Sequence, residues 1–129
     1  MRKRVYIAAP ISKGDLLANI RQADAAFFAL VSAGFAPLNP VLSVFGGAGT
    51  ERVGYNGVVF SIARAIHSIS WSTWIEIAQP WVAASDAVLR LPGESEGADR
   101  EVAHAQSLGI PVFVYIDRLI THFAETPHV

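Results

Sequence analysis

Cysteine is absent from this chain, so neither a disulfide framework nor thiolate chemistry is available to it. Charge is sparse as well: 16% of the 129 residues are charged, and the formal net charge is −1. Proteins that bind the phosphate backbone of nucleic acids carry a basic surface, so this balance argues against that class. It leaves room for a single phosphate on a small ligand.

Long apolar runs are also missing. No stretch approaches the roughly 20 apolar residues of a membrane-spanning helix. The basic N-terminus leads into an apolar run that Pro10 ends, whereas a secretory signal needs roughly 7–15 apolar residues before its cleavage site. We therefore interpret this run as a first strand and expect a cytoplasmic protein. Because 52% of the residues are hydrophobic, we expect one folded domain over residues 1–129.

The chain does contain a regular alternation of apolar runs with amphipathic segments. Strands are predicted for four apolar runs, at residues 5–9, 35–38, 86–91 and 111–116. Helices are predicted at residues 15–33, 73–84 and 99–108, with a short one at the end. This order predicts a Rossmann-like (flavodoxin-like) three-layer α/β sandwich, in which helices cover both faces of a mostly parallel sheet of four to five strands. The first, third and fourth runs are expected to be its central strands.

Capping residues define the predicted helix boundaries. Asp15 is suited to cap the first helix. Thr73 and Glu76 fit a capping box at the start of the second, where Pro80 implies either a kink or a later start.

The secondary structure of residues 41–66 is the hardest to predict from the sequence. Their glycines indicate a loop, either a functional lid or a mobile segment, with a short helix at 58–66.

In a parallel sheet, ligands bind outside the carboxyl ends of the strands. Three segments follow those ends here: residues 10–15, the segment after Leu38, and residues 92–101. In the last of these a short loop enters a helix, whose N-terminus favours anions. Glu101 is predicted in the first turn of that helix, where a carboxylate stays ionised and suits a nucleophile. Alternatively, Asp99 and Glu101 only stabilise the helix dipole.

The turn after the first predicted strand contains Ser12 and Lys13, followed by a glycine and a helix. Such a turn is able to hold a phosphate on backbone N–H groups and a cation. The match is short and is not a P-loop. A solvated turn is the alternative interpretation.

Histidines and tryptophans form two further sets. The four histidines lack metal-ligand spacing, so we interpret them as surface or core residues, although His104 lies one turn from Glu101. Trp71, Trp74 and Trp81 follow a spacing that is more typical of a packed helix face than of a base-stacking platform.

Two stretches of the sequence resemble the nucleoside 2-deoxyribosyltransferase-like superfamily. The opening VYIAAPIS is similar to the superfamily's YIAGPIS-type start, and SDAVLRLPGESEGADREVAHAQSLGIPVF is similar to its strand, S-x-G-x-x-x-E, helix and strand signature. The resemblance implies that Glu101 attacks the anomeric carbon and that Tyr6 lies near it. A serine at the place of Ser95 contacts the phosphate in the superfamily's nucleoside 5′-monophosphate N-glycosidases. In transferases that act on free nucleosides, that place looks like an aspartate.

One departure from the superfamily concerns the leaving base. Relatives carry an aspartate, which assists at the base, eight residues before the acidic residue that opens the third strand. Counting back from Asp86 gives Ala78. Positioned proton transfer is typically worth about 10²–10⁴-fold in rate. The missing acid therefore implies a slow enzyme, another acid, or a protein that binds without turnover.

The resemblance and the local chemistry together predict an N-glycosidase that cleaves a nucleoside 5′-monophosphate through a Glu101 glycosyl-enzyme intermediate, with no metal or organic cofactor. The alternatives are a nucleoside 2-deoxyribosyltransferase, a non-catalytic nucleotide-binding protein and a structural subunit. Glu101 and Tyr6 are expected to be catalytic. Substrate contacts are expected from Ser12, Lys13, Asp86, Ser95, Gly97 and Asp99. We also expect a homodimer or higher homo-oligomer with residues 55–82 in the contact.

Overall fold

The computed structural model describes residues 1–11, 13–40 and 69–125. Predictions for Ser12 and for residues 41–66, including the short helix at 58–66, lie outside the described residues. None of the described helices is long and apolar enough to cross a membrane. The described elements are, in chain order, β1 (Arg4–Ala8), α1 (Leu16–Ser32), β2 (Ala36–Leu38), α2 (Trp71–Ala83), β3 (Ala87–Arg90), α3 (Glu96–Ser107), β4 (Val112–Phe113) and α4 (Ile116–Glu125).

The four strands form one parallel sheet in the order β2-β1-β3-β4, which confirms the predicted α/β fold. β1 and β3 are neighbours at its centre, with Ala8 opposite Arg90. The prediction of a central fourth strand is wrong, because β4 has two residues and lies at the edge of the described sheet. Tyr115 is 66% exposed, since α4 begins at Ile116 and the chain has already left the sheet.

Side chains of β1 alternate between the two faces of the sheet. Val5 and Ile7 enter a core cluster that also contains residues of α1 and α4. Tyr6 and Ala8 enter a second cluster on the opposite face, together with residues of α2 and α3. Helices therefore cover both faces, as the order of the elements predicts, and Tyr6 points to the side of α2 and α3.

The first predicted helix cap is confirmed and the second is wrong. Asp15 caps α1 by accepting a hydrogen bond from the backbone N–H of Ala18 at 3.1 Å. At α2 the cap is Ser70 rather than Thr73, because the Ser70 hydroxyl accepts the Thr73 N–H at 3.3 Å. The helix thus begins two residues before Thr73 and continues through Pro80.

The third helix also begins earlier than predicted, at Glu96 rather than at residue 99. Ser95 caps it, and the Ser95 hydroxyl accepts a hydrogen bond from the N–H of Ala98 at 3.1 Å. The added residues move Glu101 out of the first turn and into the second. The unpaired amides of the helix start therefore lie about one turn away from its carboxylate.

Candidate active site

The strand order creates a crevice between the carboxyl ends of β1 and β3. The chain passes from β1 to β2 on one side and places β3 on the other side. Such a topological switch point is where ligands bind in open α/β sheets. A cavity of about 660 Å³ lies on the α2 and α3 side of this crevice. Its described lining comes from β1 and the loop after it, from α2, and from the start and one face of α3. Pro40, two residues after β2, also lines it.

Tyr6 and Glu101, the two residues predicted to be catalytic, meet in the lining of this cavity. β1 directs the Tyr6 side chain toward α3, where the residue is only 1% exposed. The Tyr6 hydroxyl donates a hydrogen bond to Oε2 of Glu101, joining residues 95 positions apart. This hydrogen bond fixes the orientation of a carboxylate that faces the cavity.

Burial dominates the electrostatics of this pair. It raises the pKa of Glu101 to about 7, although the Tyr6 hydrogen bond and the positive charge of Arg90 both act to lower it. Burial, together with the neighbouring carboxylate, raises the pKa of the Tyr6 hydroxyl far above its usual range, so Tyr6 remains a donor. The prediction that a first-turn position keeps Glu101 fully ionised is therefore wrong. Glu101 lies in the second turn, and its desolvation outweighs the effects of Tyr6 and Arg90, which lower its pKa.

Arg90, at the carboxyl end of β3, was not predicted to belong to the site. Its side chain is 14% exposed and carries the positive charge that lowers the pKa of Glu101. Its Nη2 donates to the carbonyl oxygen of Gly93 at 2.9 Å and pairs with Oδ1 of Asp99 at 3.1 Å, while Nη1 donates to the Leu91 carbonyl. In the sequence, a single cation at the end of an apolar strand was the feature that could have indicated a role for Arg90 in the site. Asp99, predicted to contact substrate, is thus a partner of Arg90.

The start of α3 lines the cavity through Ser95 and Gly97. Ser95 uses its oxygen to accept the cap hydrogen bond, which leaves its hydroxyl hydrogen free to be donated. A Cβ atom at Gly97 would lie 3.4 Å from the ring of Trp71. The first turn of α3 therefore packs closely against the first turn of α2, with its N–H groups beside the cavity.

Gly93 holds the loop that leads to Ser95. Its φ of 119° is accessible to glycine and rarely to other residues. A Cβ atom there would approach Cγ of Pro10 to 2.7 Å, which is too short for any real contact. The loops that follow β1 and β3 thus touch at this glycine, and their contact fixes where α3 begins.

Lys13 lies on the lining of the cavity, in the loop after β1. Its Nζ forms an ion pair with Oε1 of Glu94 at 2.9 Å, linking this loop to the loop after β3. The carboxylate of Glu94 raises the pKa of the exposed Lys13 ammonium, so the side chain remains a cation. The adjacent Ser12 lies outside the described residues.

Besides Asp99, Asp86 is the other described residue of the predicted set that does not line the cavity. It precedes β3 and therefore lies at the amino ends of the strands. There its Oδ2 accepts the backbone N–H of Arg4 at 2.7 Å and lies 3.6 Å from the Arg4 side chain. A residue that opens a strand cannot reach a site beyond the carboxyl end of that strand.

One face of α2 forms the opposite wall of the cavity. This wall includes three tryptophans, Trp71, Trp74 and Trp81. Their spacing favours a packed helix face, and the structure shows that they also line the cavity. Trp71 is 50% exposed, and the guanidinium of Arg100 lies 5.9 Å from its ring centroid. Ala78, which the resemblance places where relatives carry an acid, lines the same wall.

The fold of this chain is similar to that of a known enzyme. The structure is similar to that of a 2-deoxyribosyltransferase from the psychrotolerant bacterium Bacillus psychrosaccharolyticus, with a TM-score of 0.51 and 15% sequence identity. The match covers 84% of this chain and 69% of the other. No protein-family model matches the chain, and comparison with curated proteins gives no match. Similarity at this identity shows a common fold.

His104, which the sequence places one turn from Glu101, also lines the cavity. Within residues 1–11, 13–40 and 69–125, no group of three or more histidine, aspartate or glutamate side chains is arranged to hold a metal ion. The described site therefore offers two carboxylates, a phenol, an imidazole, two cations and a wall of indole rings. This set is suited to nucleophilic attack on an uncharged or cationic electrophile beside an aromatic group.

Proposed function

We propose that this chain belongs to the nucleoside 2-deoxyribosyltransferase-like superfamily and hydrolyses the N-glycosidic bond of a nucleoside 5′-monophosphate. The observation that carries the proposal is the hydrogen bond from Tyr6 to Glu101 in a cavity at the switch point of the sheet. The shared fold with a 2-deoxyribosyltransferase supports it. A deep carboxylate beside a wall of tryptophans suits a sugar that carries a flat base.

The reaction proceeds in two displacements at the anomeric carbon. An oxygen of ionised Glu101 forms a bond to C1′, while the C1′–N bond breaks and its electron pair leaves with the base. Water then attacks C1′, and the carboxylate is released together with the sugar phosphate. Tyr6 holds the carboxylate in position through the first step and stabilises its charge again after the second.

The phosphate is expected at the start of α3. The Ser95 hydroxyl and the first amides of that helix face the cavity, and Lys13 lies at the same end. A helix N-terminus and a cation together favour a dianion. Ser12, which the sequence places beside Lys13, is expected to contribute a further hydroxyl.

A screen for free base tests this proposal. The purified protein is incubated with ribo- and deoxyribonucleoside monophosphates and with the matching nucleosides, and released base is separated by chromatography. We expect release from at least one monophosphate and none with Glu101→Gln. Binding of monophosphates by calorimetry without any release would instead favour a non-catalytic nucleotide-binding protein, the alternative that Ala78 supports.

Base transfer is the second candidate activity, because the structural neighbour is described as a 2-deoxyribosyltransferase. The two reactions share the glycosyl-enzyme intermediate and differ in whether water or a second base attacks it. Adding a free acceptor base distinguishes them, since a transferase forms a new nucleotide. Light scattering on the same preparation tests our proposal that the chain assembles as a homodimer or larger.

A further inference from the structure

The proposed reaction leaves one chemical requirement without a residue. Expulsion of an ordinary nucleobase is assisted by a proton donated to the base. None of the α2 residues that line the cavity is ionisable, and Ala78 lies among them. A donor must therefore reach the base from another element.

One face of α3 supplies the ionisable groups on the other side of the cavity. Gly97, Arg100, Glu101 and His104 all line it, at the spacing of residues that share a helix face. Residues three positions apart on such a face have Cβ atoms about 5–6 Å apart. His104 therefore lies beside Glu101 on the surface that faces the substrate.

The topology places His104 at the level of Ala78. α2 leads into the amino end of β3, and α3 leaves its carboxyl end, so both helices run in the direction opposite to the strand. Their first turns touch where Trp71 lies against Gly97. Ala78 and His104 each follow seven residues later, about 10.5 Å along their helices.

We propose that His104 is the general acid of this site and replaces the carboxylate that is missing at Ala78. This inference rests on the proposed function and identifies its proton donor. As Glu101 attacks C1′ and the C1′–N bond breaks, the imidazolium of His104 transfers its proton to the departing base. In the second step the neutral imidazole accepts a proton from the attacking water, so the imidazolium is restored when Glu101 is released.

The other ionisable residues that line the described cavity are occupied or unsuited. The Tyr6 hydroxyl donates to Glu101, and Lys13 is held in an ion pair with Glu94. Arg100 does not release a proton in proteins, and the exposed Glu96 pairs with it at 3.5 Å. Histidine is the side chain that ordinarily exchanges its proton near neutral pH.

Leaving-group dependence tests the role of His104. With an ordinary nucleoside monophosphate that the parent cleaves, His104→Gln should lower the rate of base release by about 10²–10⁴-fold. With nicotinamide mononucleotide, whose pyridinium ring leaves as a neutral molecule and takes no proton, we expect a decrease below tenfold. His122→Gln is the matched control, because that ring packs against Phe113 and Phe123 in β4 and α4, and it should change neither rate.

A second variant restores the acid from the opposite helix. Ala78→Asp in the His104→Gln background should recover at least tenfold of the lost rate. A purely structural role for His104 predicts equal losses with both substrates and no recovery. If His104→Gln does not fold, as judged by circular dichroism, His104→Asn replaces it.

The outcomes separate this inference from the proposed function. Full activity of His104→Gln on ordinary bases, equal losses on both substrates, or failure of Ala78→Asp to restore the rate would each overturn the role of His104. A parent protein that releases base from no nucleotide, including nicotinamide mononucleotide, would overturn the glycosidase proposal itself.

Discussion

The Tyr6 hydroxyl donates a hydrogen bond to a Glu101 carboxyl group whose pKa burial raises to about 7. The same carboxyl is thus only partly ionised at neutral pH, and the hydrogen bond orients its ionised form. A nucleophile must be ionised to react. The environment of Glu101 therefore couples the proposed activity to pH in the physiological range.

We predict that kcat/KM for base release from nicotinamide mononucleotide, whose departing ring takes no proton, rises with pH and levels off above about 7. Below that pH the carboxyl of the free protein is protonated and cannot attack C1′. The pH dependence of kcat/KM reports such groups in the free enzyme. A rate that stays constant from pH 5 to 8 would mean that Glu101 does not limit the reaction through its ionisation.

Because of Glu101, the protein should also be less stable above about pH 7 than below about pH 4.5. A carboxyl whose pKa is raised by folding contributes its full stability below about pH 4.5, and this contribution is lost as the pH rises through about 7. At 1.36 kcal/mol per pH unit, the loss amounts to about 3 kcal/mol.

Glu101→Gln removes this penalty, since its amide never ionises. We expect the variant to gain about 2.5 kcal/mol of unfolding free energy relative to the parent between pH 5 and pH 8, measured by urea denaturation at both. Glu125→Gln, at the exposed end of α4, is the control and should show no such gain. A constant difference between Glu101→Gln and the parent would contradict the raised pKa.

The sequence predicted these residues better than it predicted their electrostatics. The alternation of apolar runs with amphipathic segments was enough to predict the parallel sheet, and the resemblance pointed to Tyr6 and Glu101, which the structure joins by a hydrogen bond. The pKa of Glu101 was not predictable. It depends on where α3 begins and on how deeply packing buries one carboxyl, and neither follows from local sequence.

Long-range contacts account for the remaining differences. Arg90 belongs to the site through hydrogen bonds to the loop that follows β3, and its proximity to Glu101 arises only when α3 packs on the sheet. β4 resembles a buried strand in its apolar run, but its neighbours on the sheet decide that it lies at the edge. His104 is recognisable as a cavity residue only once α2 faces α3.

Removing the Tyr6 hydroxyl should raise the pKa of Glu101 further. The hydrogen bond from Tyr6 stabilises the ionised carboxylate and so lowers its pKa against the effect of burial. In Tyr6→Phe we expect the ¹³C carboxyl resonance of Glu101 to titrate at a higher pH than in the parent. Tyr115→Phe changes an exposed tyrosine outside the cavity and should leave the titration as it is. An unchanged midpoint in Tyr6→Phe would show that the hydrogen bond does not favour the ionised form.

Substitutions of Ser95 distinguish its role as a helix cap from its proposed role as a phosphate contact. Ser95→Ala loses both, so it should cost about 1 kcal/mol of stability and weaken the binding of a nucleoside monophosphate by roughly 1–3 kcal/mol.

Ser95→Asp keeps an acceptor for the Ala98 N–H and therefore keeps the cap. Its negative charge repels the phosphate, so it should retain the melting temperature and lose at least tenfold in affinity for the monophosphate. Calorimetry with the matching free nucleoside is the control, for which both variants should bind as the parent does. Equal losses for nucleotide and nucleoside would place the phosphate elsewhere and leave Ser95 as a cap alone.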